Sequence, residues 1–113
     1  MTIYDVDYFI QKFEAIPEEK WTAGMYYNSE TEACCVLGHC GDRIEVNGGG
    51  SREWCALKVI FNNISANPVR VNDDVLEKVY PGKTPKQRIL HQLQRIKNKQ
   101  KLIVSQSLRS GNI

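Results

Sequence analysis

Ala33–Gly41, "ACCVLGHCG", places three of the four cysteines and one of the two histidines within nine residues. Thiolates and imidazoles at short spacing are the donor set of a zinc site, which usually takes about four of them. Cys35, His39, Cys40 and Cys55 are the metal-ligand candidates. Against them, the C-x2-C knuckle is absent and no second paired spacing follows. The same residues suggest a thiol catalyst. Cys35 would be the nucleophile and His39 (or His91 from elsewhere in the chain) the base, with Asn72 or Asp73 to orient the imidazole. No signature of a cysteine hydrolase surrounds them. A third reading is a packed corner of a small core, because free cysteine is among the most buried residue types. "CCVLG" is apolar throughout, and Gly38 permits close approach of a neighbouring element. The packed corner is favoured, so no catalytic or metal residue is assigned and no cofactor is expected.

The second chemical feature is charge. The chain has a net charge of +2, divided unevenly. Residues 81–113 hold eight of the 15 basic residues and no acid; residues 1–80 hold the other seven and all 13 acids, a net of −6. An acidic body with a basic C-terminal third points to an acidic partner, nucleic acid or protein. It is equally compatible with the basic end folding against the acidic body of its own or a second chain. Lys86, Arg88, Arg95 and Lys99 are the partner-binding candidates. At about 100° per residue, Arg88, Arg95 and Lys99 fall opposite an apolar stripe of Ile89, Leu90, Leu93 and Ile96, with His91 and Gln92 between. No helix-turn-helix, zinc-finger or RNA-recognition signature accompanies them.

The elements that would position these residues are mostly helices. Val6, Phe9, Ile10, Phe13 and Ile16 recur at helical spacing and predict a helix over 5–16, with Thr2, Asp5 or Asp7 as cap. "IPEEKW" starts a new turn at Pro17. "GMYYN" reads as a short strand, "NSETE" as a polar turn, and "ACCVLGHCG" as a strand leading into a short helix. "VNGGGS" is a loop, but not a phosphate loop, since the order of Gly, Lys and Ser/Thr is wrong. Ser51 caps a helix over 51–64, with Trp54, Leu57, Ile60, Phe61 and Ile64 on one face. "VRV" reads as extended. "NDD" reads as a turn or the cap of a one-turn helix "VLEKVY", and lacks the spacing of a calcium loop. "TPKQ" gives Thr84 as N-cap, Pro85 at the first helical position and Gln87 in capping-box position. That helix runs from 85 to at least 98. Beyond it "LIVSQSLRSGNI" extends the helix, adds an edge strand or frays.

With 113 residues the chain fits one domain. It is expected to be an α+β fold, a single compact mainly helical domain with a small antiparallel β element. The globular part would span 1–98, with 99–113 as a basic tail. The predicted core is Phe9, Phe13, Trp21, Leu37, Trp54, Leu57, Phe61, Leu90 and Leu93. No apolar run reaches the roughly 18 residues of a membrane span. "MTIYDVDYFIQKF" lacks the charged and apolar segments of a cleaved signal, so a cytoplasmic location with reduced cysteines is expected.

Four motifs in order, "KWTAG", "CCVLGHCG", "RVNDD" and "TPKQRIL", resemble a family of small uncharacterised bacterial and phage proteins. That family carries a W-x-x-G turn, a C-x-L-G segment, an N-D turn and a closing T-x-x-x-[IV]-L helix. The resemblance covers roughly residues 8–97. It implies a helix-rich α+β domain and brings no activity. It also implies that Trp21, Gly24, Cys35, Leu37, Gly38, Asn72, Asp73 and Thr84 occupy recurring positions, while Cys40, Cys55 and the residues after Asn98 do not. The functional expectation is therefore a non-enzymatic accessory protein whose basic helix contacts an acidic partner. The alternatives are a small thiol enzyme using Cys35 and His39, and a module that self-associates through the tail "LIVSQSL".

Overall fold

The computed structural model describes residues 3–25, 27–40, 52–76 and 78–111, with side chains as far as Lys101. The fold is mainly helical, with one small antiparallel sheet among the described residues. Helix α1 (Val6–Ala15) is capped by Asp5, whose carboxylate accepts the Tyr8 amide at 2.8 Å. It turns Val6, Phe9 and Phe13 inward. After Pro17 a 3-10 turn, Glu18–Lys20, delivers Trp21 to the core beside Phe13. Strands β1 (Tyr27–Asn28) and β2 (Ala33–Cys34) pair antiparallel, Tyr27 opposite Cys34. The polar turn between them is tied by Asn28, whose side chain accepts the amides of Glu30 and Thr31. β2 leads directly into α2 (Val36–His39).

Helix α3 (Arg52–Phe61) continues as a 3-10 turn, Asn62–Ile64, and stops at Ser65 in the left-handed region, φ 53°. The expected cap Ser51 and the glycine loop lie outside the described residues, as does Tyr26. α4 (Pro68–Asn72) corrects the extended reading of "VRV". Asn67 accepts the Val69 amide at 2.9 Å and Pro68 begins the helix, so Asn67-Pro68 is a start signal as well as a break. The one-turn helix expected over "VLEKVY" does not form among its described residues. Instead the Asp74 carboxylate accepts the amides of Lys78, Val79 and Tyr80 and folds the segment into a turn.

Helix α5 (Pro85–Gly111) is the spine. Thr84 Oγ1 accepts the Gln87 amide at 3.1 Å, and Gln87 Oε1 accepts the Lys83 amide at 2.9 Å. This is a capping box with its return bond one residue earlier than usual. The backbone helix passes residue 98 without a break, so the tail continues α5 and adds no edge strand. α5 packs against α1, α3 and α4. Their shared core is Phe9, Phe13, Trp21, Val36, Trp54, Leu57, Phe61, Val71, Ile89, Leu93 and Ile96, among others. Leu37 and Leu90, expected inside, are only partly buried and pack on its edge. Each large apolar side chain so buried contributes about 1.5–3 kcal/mol.

Candidate functional site

The cysteine–histidine corner is built from β2 and α2. Cys35 sits at the N-cap of α2, 5% exposed, and Cys34 and Cys40 are buried as well. Burial pushes the Cys35 thiol up; the Leu37 and Gly38 amides pull it down, and Asp73 and Cys34 push it further up. His39 is the last residue of α2. Its Nε2 pairs with the Lys20 carbonyl at 2.9 Å, and its ring stacks on Trp21 with centroids 4.6 Å apart. Burial lowers its pKa, with the Lys12 charge acting the same way, against the carbonyls of Lys20 and Cys34. A buried thiol held above its ordinary pKa is poorly suited to act as a nucleophile. Cys55, the fourth metal candidate, is exposed on α3 and lines an open groove with Lys58, Val59 and Pro68. Among the described residues no three His, Cys, Asp or Glu side chains converge as a metal site.

Asn72 and Asp73 tie this corner to α4. Asn72 is fully buried, and its Oδ1 accepts the Val36 amide at 3.0 Å. Its Nδ2 donates to the Thr22 carbonyl at 2.9 Å and to Asp73 Oδ1 at 2.8 Å. Asp73 Oδ1 in turn accepts the amide of Gly24, which has a φ of +77°. Asn72, one of two candidates to orient an imidazole in the thiol-catalyst reading, holds the 21–24 turn, α2 and α4 together. A second buried polar group missed from sequence joins α1 to α3. Lys12 Nζ donates to both Glu53 oxygens at 2.8 and 2.7 Å, and the Tyr8 hydroxyl donates to the same carboxylate. That hydrogen bond, then burial, raises the Tyr8 pKa.

Arg88 requires a correction. It is not on the outer face of α5 but fully buried. Its guanidinium donates to the Val71 carbonyl at 3.0 Å, the Asn72 carbonyl at 2.6 Å and the Gly82 carbonyl at 3.1 Å. The end of α4 leaves carbonyls without helical partners, and a buried guanidinium satisfies them. Gln92 is buried too, and its Oε1 accepts from Arg95 at 3.3 Å. Because α5 touches three other helices, its buried arc is wider than the apolar stripe and is rotated toward residues 88 and 92.

The remaining partner candidates are divided between packing and solvent. Lys86 is half-buried and donates to the Glu14 carbonyl at 3.0 Å. Arg95 and Lys99 are exposed, as is Lys101; Lys99 reaches the Asn63 carbonyl at 2.8 Å. Lys97 pairs with Asp7 at 2.7 Å. Between these cations runs a ridge of uncharged polar residues. His91, Gln94 and Asn98 are exposed, and Gln94 Nε2 donates to Asn98 Oδ1 at 3.1 Å. His91, Gln94, Arg95 and Asn98 line one shallow depression. Gln94 and Asn98 carried no sequence signal beyond their four-residue spacing on an acid-free helix.

No protein-family model matches the chain, and comparison with curated proteins and with solved structures gives no match either. Among the described residues no helix is long and apolar enough to cross a membrane.

Proposed function

We propose that this protein is a non-enzymatic binding protein that holds a polyanionic partner, nucleic acid or acidic protein, on the outer face of α5. The observation that carries the reading is the exposed, acid-free surface of Arg95, Lys99 and Lys101 on a helix whose opposite side is buried. Seven cations and no acid lie between Pro85 and Gly111. Arg88 is committed to the core and Lys97 is paired with Asp7, but the helix carries no acid to neutralise the field of the others. The reactive side chains elsewhere support the same reading. Cys35 and Asn72 are buried, and Asn72 and His39 are engaged with backbone partners, so they serve packing.

The test is binding of a labelled mixed-sequence duplex and of polyglutamate across a salt series. Each phosphate contact adds about −0.9 to the slope of log affinity against log salt, so three cations give a slope of about −3. Replacing Arg95, Lys99 and Lys101 by Gln should flatten that slope and weaken binding without altering the melting temperature. No binding to either polyanion at low salt, or binding indifferent to salt and to the substitutions, would refute the proposal.

A further inference from the structure

We infer that the partner is duplex DNA and that α5 enters its major groove, with Gln94 and Asn98 against base edges. This rests on the polyanion reading above and adds a specific occupant. The argument is the order of residue types around the helix. At about 100° per residue, His91, Gln94 and Asn98 fall within a sector of about 60° at the centre of the exposed face. Arg95 and Lys99 lie on one side of that ridge and Lys101 on the other, where Lys97 is already paired with Asp7.

An acidic protein surface would be met best by cations along the centre line. Here amides hold the centre and cations flank it. In a major groove the base edges are central and the two phosphate backbones lie to either side, which is the same order. Asn and Gln amides pair with adenine edges, Arg with guanine, and Lys with phosphates. An α-helix about 10–12 Å across fits a groove about 12 Å wide. A-form RNA closes its major groove to side chains. Single strands are usually gripped by stacked aromatic rings, and α5 contains no Phe, Tyr or Trp. The Gln94–Asn98 hydrogen bond holds both amides side by side on the ridge.

The experiment is selection of duplexes from a randomised pool by the full chain. Affinity is then measured for the enriched sequence and for a scrambled duplex, with wild type and with the Gln94→Ala/Asn98→Ala variant. Both residues are exposed, and an unchanged melting curve confirms that the variant is folded. The expected result is a preference of about tenfold or more for the enriched sequence. Replacing adenine by 7-deaza-adenine in the enriched sequence, which removes the N7 acceptor the amides need, should abolish that preference, and the variant should bring the ratio of the two affinities close to one. Equal affinity for all duplexes, or a preference that survives in the variant, overturns the groove assignment while leaving the polyanion reading intact. Binding only to RNA or polyglutamate overturns it in favour of that partner. No binding to any polyanion at low salt overturns both.

Discussion

Arg88 and His39 show how burial changes what a residue type means. Both are polar, both sit among residues that suggest chemistry, and both end on backbone carbonyls. For His39 this has a pH consequence. Its folded pKa lies below the ordinary 6.5, with burial the main cause. The unfolded chain therefore takes up the proton first as pH falls. The neutral ring's contribution to stability is fully present above 6.5 and is lost as pH falls from there through the folded pKa. Denaturant titrations at pH 7.5 and 5.5 should show wild type losing more stability than His39→Gln over that interval. Equal losses would mean that the ring is not held neutral by the fold. The sequence made the packed corner legible, because "CCVLG" is apolar and the histidine adjoins it. It could not show which nitrogen meets which carbonyl, since Lys20 is 19 residues away and reaches His39 only through the Trp21 turn.

At the scale of elements, the capped starts were the most legible features. Asp5, one of three caps open to α1, and Thr84 act as caps because a cap is a local interaction among residues three apart. α4 was not legible, because five residues give too little periodicity to separate helix from strand. Its stability comes from Asn67 at one end and from the distant Arg88 at the other. The α4–α5 latch depends on Gly82, whose φ is +134° and whose missing Cβ would lie 2.7 Å from the Arg88 backbone nitrogen. Gly82→Ala should cost at least about 1–3 kcal/mol from backbone conformation alone, with the steric clash adding to it. Urea unfolding measures this. A variant as stable as wild type would show that the latch tolerates movement of the 81–84 segment.

The whole molecule measures 59 × 33 × 23 Å, and α5, about 40 Å long, accounts for much of the long dimension. The uneven charge distribution was visible in the sequence, and so was the class of the fold. The division of the cations between interior, ion pair and solvent was not. It depends on which arc of α5 faces α1, α3 and α4, and the apolar stripe lies toward one edge of that arc, whose other edge holds the polar Arg88 and Gln92. The structure instead assigns Arg88 to the core, Lys97 to Asp7, and Arg95, Lys99 and Lys101 to the surface. The proposed polyanion binding rests on these surface cations, whereas Cys35 and Asn72 are buried and His39 is held by a backbone carbonyl. The most direct test is to titrate a mixed-sequence duplex into isotopically labelled protein at low salt and follow backbone amide shifts. The account predicts changes concentrated at His91, Gln94, Arg95, Asn98, Lys99 and Lys101, with Cys35, His39 and Asn72 unmoved. Changes centred on Cys35, His39 and Asn72, or no change at any residue, would contradict it.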